Sequence, residues 1–215
     1  MEGVNEKNNF IYFTAALVVL LLVSALVDTM PAGEGRIPMR LIILTTEIVA
    51  FSLNFGTRWS GFIGVMVLLV IAAGSLDELT SVTWAPTFGL LSLLVFFLGI
   101  AYGVSRRVLF SGTVDFNTII GALAVYLLIG LIWATLYLLA LEFFPDAFNG
   151  IEPEIWSENY SNAAYFSFVT MTSLGYGDMS PALPITRALA YLQAIVGAFY
   201  MAIVVASLIG ARTTR

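Results

Sequence analysis

Residues 170–178 read Thr-Met-Thr-Ser-Leu-Gly-Tyr-Gly-Asp. The chemistry open to such a segment lies in its main chain. Glycines at 175 and 177 let the backbone take mirror-image dihedrals cheaply, so successive carbonyl oxygens can point to one side. Four such strands around an axis would replace the hydration shell of a dehydrated cation with rings of oxygens. The chain holds one copy of the segment, so a pore of this kind requires a homotetramer.

The elements that must position this segment belong to a membrane protein. Of 215 residues, 60% are hydrophobic and only 11% charged, with a mean hydropathy of +0.95, which is far too apolar for a soluble domain. The chain has no histidine and no cysteine. That removes the commonest general base, the commonest transition-metal ligands, disulfides and thiol nucleophiles together. A hydroxyl nucleophile would need a lysine base, and the sole lysine is Lys7. Neither an enzyme nor an organic cofactor is expected. A net charge of −5 without a basic patch argues against nucleic acid as a partner.

Six spans can be drawn: Phe10 to Val27, Pro38 to Phe55, Trp59 to Leu76, Phe88 to Val104, Phe116 to Phe144, and Leu183 to Gly210. Each is near the ~20 residues that cross a bilayer core. The first is read as a retained membrane helix, since no convincing cleavage site follows it. The second is interrupted by Thr45, Thr46 and Glu47. Between the fifth and sixth, Tyr160 to Thr172 is too short to span, opens on the capping-type residues Ser161 and Asn162, and runs into the Gly-Tyr-Gly strand. It reads as a re-entrant pore helix. Irregular backbone at membrane depth is tolerated only inside protein or against water, which assigns the strand to an assembly axis. Pro181 and Pro184 suit the turn into the sixth span. The fold class expected is an all-α polytopic membrane protein. It divides into a four-helix domain over 1–105 and a pore domain over 106–215.

With both termini in the cytoplasm, Lys7, Arg58, Arg106, Arg107, Arg212 and Arg215 lie inside, and only Arg36, Arg40 and Arg187 outside. Six against three supports that orientation. The outer side is then acidic. The stretch from Glu142 to Glu158 holds five acids and no Lys or Arg, either as an ordinary solvated loop or as a field that concentrates cations.

From Tyr160 to Gly210, and more loosely from Phe116, the chain resembles the two-helix pore domain of the tetrameric potassium-channel superfamily. With the four preceding spans it looks like a bacterial six-helix member, which implies a multi-pass protein of the inner membrane. The resemblance implies potassium sites formed by the main-chain carbonyls of Ser173, Leu174, Gly175 and Tyr176 and by the Ser173 hydroxyl. Thr172 stands at the inner end of this filter and Gly177 and Asp178 at the outer end. Leu174 and Tyr176 would direct their side chains away as a packing cuff. The commonest family pattern has threonine at the place of Ser173 and valine at that of Leu174. Serine keeps the hydroxyl but loses the methyl that restricts its rotamer, which leaves a non-selective cation channel as an alternative. In many members an aromatic donor thirteen residues before the filter aspartate braces it. Here that position is Tyr165, either as a brace to Asp178 or as a packing residue.

Gly197 lies nineteen residues after Asp178, at the place of the family's hinge glycine. It can serve as a hinge or allow close helix contact. Stepping by four puts Gln193, Gly197, Met201 and Val205 on one face, then Ile209, as a largely apolar cavity wall with a possible hydrophobic constriction at Val205 or Ile209. Voltage sensors carry several arginines in the fourth span, because moving one charge through 100 mV is worth about 2.3 kcal/mol. Here Phe88 to Ser105 has no Lys or Arg, and Arg106 with Arg107 forms a positive-inside anchor. Steep voltage gating is not expected. Gly99 and Gly103 supply a small-residue face for tight helix packing. Glu47 is an intramembrane acid, either paired with Arg40 or Arg58 or acting as a pH or gating sensor. No regulatory module is expected in the five residues after Gly210. A four-repeat transporter fits poorly with a single pore loop, and a non-conducting partner subunit remains an alternative.

Overall fold

The computed structural model describes residues 9–27, 29–30, 36–51, 84–109, 116–152 and 154–213, with helical positions at 61, 64–66 and 68–69. The long helices are α1 (Asn9–Val27), α2 (Arg36–Phe51), α3 (Ala85–Leu109), α4 (Phe116–Phe143) and α6 (Pro184–Thr213), with the shorter α5 (Tyr160–Met171) between the last two. Two-residue strands β1 (Phe148–Asn149) and β2 (Ser180–Pro181) flank α5 in the chain and pair antiparallel, Phe148 opposite Pro181 and Asn149 opposite Ser180.

Among the described residues, four helices are long and apolar enough to cross a membrane: Phe10–Val27, Ala85–Val108, Phe116–Phe143 and Pro184–Val204. Each satisfies its backbone polar groups internally, as a lipid-facing segment must. α2 runs for 16 described residues, about 24 Å and short of the ~30 Å hydrocarbon thickness. The rest of the second expected span and most of the third, Trp59 to Leu76, lie outside the described residues. The fourth expected span corresponds to α3, whose last turn holds Arg106 and Arg107, where cations complement the helix dipole.

The core forms around α4, which packs against α1, α3, α5 and α6, while α2 rests on α1. Small residues set the approach: a Cβ at Gly121 of α4 would lie 2.7 Å from Val108 of α3 and 3.1 Å from the Phe10 ring of α1. The Thr14 hydroxyl donates to the Ile120 carbonyl at 3.3 Å across the same junction. α1 also touches α5, so the first helix reaches the short helix of its own chain. One hydrophobic cluster runs from Phe13 and Leu17 through Phe96 and Phe97 to Leu128, Tyr137 and Phe166.

The helix-start reading needs one correction. The N-cap of α5 is Asn159, and Ser161 and Asn162 already lie within the helix. Asn159 makes no side-chain cap bond. Its Nδ2 instead donates to the carbonyls of Glu152 at 2.8 Å and Glu154 at 3.4 Å, tying down the preceding loop. Glu47 is fully buried on α2, and its carboxylate oxygens have no hydrogen-bond partner among the described residues. Both partners considered for it, the Arg40 side chain and Arg58, lie outside the described residues.

Candidate functional site

The site begins at the C-terminus of α5. Thr172 caps the helix with φ −85°, its N–H donating to the Phe168 carbonyl at 3.0 Å and its hydroxyl to the same oxygen at 2.7 Å. The chain then reverses hand. Ser173, Gly175 and Gly177 have φ of 58°, 57° and 83°, and Leu174 and Tyr176 between them do not have positive φ. This alternation turns successive peptide planes the same way, as the composition of the segment suggested. A Cβ at Gly175 or Gly177 would meet nothing within 4 Å, so it is conformation and not space that asks for glycine there. Ser173 holds a left-handed conformation as an L-residue, at a cost of roughly 1–2 kcal/mol.

Backbone hydrogen bonds hold the end that joins α5. The Ser173 N–H donates to the Thr170 carbonyl at 3.1 Å, and the Leu174 and Gly175 N–H groups both reach the Val169 carbonyl, at 2.9 and 3.4 Å. Residues 172–178 are all exposed on the single chain, including the side chains of Leu174 and Tyr176.

At the end far from α5 the Tyr165 hydroxyl donates to Asp178 Oδ2 at 2.8 Å. This hydrogen bond, more than any loss of solvent, raises the Tyr165 phenol above its ordinary pKa. The loop after α4 fastens the same end from behind. A Cβ at Gly150, where φ is +80°, would run into the Asp178 carbonyl oxygen. Asn149 Nδ2 donates to the Ser180 hydroxyl at 3.1 Å, and the Ala147 carbonyl accepts from the Ala182 N–H and the Thr186 hydroxyl, each at 2.9 Å.

Behind α5, the rings of Tyr137, Phe148 and Phe166 form a mutual edge-on triad with centroids 5.0–5.3 Å apart, a geometry the aromatic quadrupoles favour. Beside it lies a buried polar relay. The Tyr137 hydroxyl donates to Gln193 Oε1 at 2.6 Å. Gln193 Nε2 donates to the Ser167 carbonyl at 3.0 Å and to its hydroxyl at 2.7 Å. The Ser167 hydroxyl donates to the Gly130 carbonyl at 2.6 Å.

This relay corrects the expected cavity wall. Gln193 is fully buried between α4 and α5, where its amide finds every partner it needs, and does not face a cavity. Gly197 is also turned inward: a Cβ there would lie 2.6 Å from both Met171 Cγ and the Met171 carbonyl oxygen. Close approach of α6 to α5 requires glycine at that position. Met201 is 49% exposed. Val205 and Ile209 lie on α6, with side chains outside the described residues. Glu47 belongs to α2 and takes no part in the cluster around Asp178. The relay and the β1–β2 ladder were not foreseen. The available signal was polar: Gln193 is the one amide in an otherwise apolar stretch of the sixth span, and such residues glue membrane helices together.

No curated protein and no solved structure matches the chain. A family model described as "Ion channel" matches residues 121–213, fewer than half of the 215. The matched span takes in most of α4, all of α5, the 172–178 strand and α6. Over the residues that build the site, the chain is therefore similar to the ion-channel family.

Proposed function

We propose that the protein is a passive, potassium-selective channel assembled as a homotetramer in the cell membrane, with both termini cytoplasmic. The observation that carries this reading is the alternating handedness at Ser173, Gly175 and Gly177 directly after a helix that is too short to span. That backbone presents a file of carbonyl oxygens to a dehydrated cation. The C-terminus of α5 adds a partial negative charge at the inner end of the file.

Exposure of the strand supports the assembly. Non-helical backbone at membrane depth must be covered by protein or face water, and one chain leaves residues 172–178 open. Only 11% of the Pro184–Val204 span is buried, against 56% for α4. Further copies would cover the strand and one side of α6. Four chains of 23.3 kDa would give a native mass of about 93 kDa before detergent or lipid. The arginine-free body of α3 argues against steep voltage gating.

A non-selective cation channel of the same build is the second reading, favoured by serine at 173. Purified protein in planar bilayers, with potassium on one side and sodium on the other, separates them by its reversal potential. A reversal near the potassium equilibrium value is the expected result. A value near zero establishes the non-selective pore, and silence from a protein of tetrameric size moves the chain to a non-conducting partner role.

A further inference from the structure

Gln193, Ser167 and Tyr137 are each fully buried, on α6, α5 and α4 in turn. None of the polar atoms in the relay is idle. Gln193 Oε1 accepts from Tyr137, its Nε2 donates to both oxygens of Ser167, and the Ser167 hydroxyl donates to the Gly130 carbonyl. Polar groups at this depth have no water to turn to, so the one arrangement that satisfies all of them is strongly preferred.

The position of the relay along α5 gives it a second consequence. Ser167 sits two residues before Val169, whose carbonyl holds the Leu174 and Gly175 N–H groups. Two residues are about 3 Å along a helix. One turn further along α6, Gly197 abuts Met171, two residues beyond Val169. α6 therefore grips α5 on both sides of the strand's anchor, once by hydrogen bonds and once by backbone contact.

We propose that Gln193 is a positioning residue for the ion-selective strand: anchored to α4 by Tyr137, it holds α5 through Ser167 at the height and rotation in which the Val169 carbonyl anchors residues 174 and 175. The inference rests on the filter function proposed above. A shift of α6 that disturbs Gln193 then reaches the strand through two hydrogen-bonded steps, and ion preference changes with it. A role confined to stability would lower the yield of assembled protein and leave the ion preference of the assembled fraction untouched.

The test compares wild type with Gln193→Met, Tyr137→Phe and the double substitution, each isolated at the native oligomeric size and assayed for reversal potential between potassium and sodium. Methionine keeps the length of glutamine and removes its polar atoms. For Gln193→Met the sodium-to-potassium permeability ratio is expected to rise by about tenfold, the order of one lost buried hydrogen bond. Tyr137→Phe should shift it less and in the same direction. The double variant should be no worse than Gln193→Met, because Tyr137 acts through Gln193. Wild-type reversal potentials in variants that assemble normally overturn the proposal. If Gln193→Met fails to assemble, Tyr137→Phe, which loses one oxygen atom, carries the test, and an unshifted reversal there overturns it equally. A silent or unselective wild type overturns the filter reading, and this inference with it.

Discussion

Tyr165 and Asp178, thirteen positions apart, meet through a hydrogen bond of 2.8 Å that closes a loop around the glycine-rich turn. The carboxylate of Asp178 is exposed, so without this bond little would hold the far end of the strand from the side. Tyr165→Phe is expected to speed the slow loss of current by roughly twofold to tenfold, the worth of one net hydrogen bond. Macroscopic current decay under constant ionic conditions measures it, and unchanged decay removes the brace. Gly150 supports the same aspartate from behind. Gly150→Ala would force an L-residue to φ +80° and push a methyl into the Asp178 carbonyl, which should destabilise the folded chain by about 2 kcal/mol or more. Thermal unfolding of the detergent-solubilised protein reads that loss, and a wild-type midpoint would place the loop free of the strand. The two positions differ in how legible they are. Tyr165 is found by counting along the chain from an aspartate. Gly150 meets a main-chain oxygen 28 residues away, and no residue type advertises a carbonyl.

At the scale of elements, the first, fourth, fifth and sixth apolar runs marked out helices because lipid demands unbroken hydrogen bonding within each segment. The first run, Phe10 to Val27, lies within α1, and the fifth ends one residue beyond α4. Facing was harder to read. A helix that is apolar nearly all round carries no stripe to show which side packs, so stepping by four from Gly197 set Gln193 on a cavity wall when it belongs to the interior. The side ties of α6 show why its position is fixed. The Trp133 indole N–H donates to the Leu189 carbonyl at 3.0 Å, and the Tyr200 hydroxyl donates to the Ala122 carbonyl at 2.5 Å. Gly197 lies between these ties, with the Gln193 relay on one side and Tyr200 on the other. Gly197→Ala should therefore cost about 1–3 kcal/mol through overpacking against Met171. Met171→Ala should not restore it, because the Met171 carbonyl lies as close to the added methyl as the side chain does. Full rescue in the double variant would show that only the side chain was in the way.

At the scale of the whole molecule, α1 and α3 share their core with α4 of the same chain, and the Thr14 hydroxyl reaches the Ile120 carbonyl directly. The chain has no native cysteine, so cysteines placed at positions 14 and 120 can be joined by a short bifunctional thiol reagent without background. The product is expected at the mass of one chain. A ladder of linked chains would mean that α1 packs on a neighbour. Charge is the other property that a tetramer would multiply. The stretch from Glu142, at the end of α4, to Glu158 has five acids in each chain, which would make twenty in a tetramer, and no base. Asp146, Glu152 and Glu154 are exposed there, and the tie of the loop to Asn159 uses the main-chain oxygens of Glu152 and Glu154. Replacing the three acids by their amides thus removes charge and leaves that tie in place. The Debye length falls from about 30 Å at 0.01 M salt to about 3 Å at 1 M. If these carboxylates concentrate cations at the entrance, the triple variant should conduct about half as well as wild type or less near 0.01 M potassium chloride, and equally at 1 M, where the field is screened in both. Equal conductance at low salt would mean that the acids are solvated charges too far from the ion path to matter. A deficit that persists at 1 M would point to a changed pore and not to a lost field.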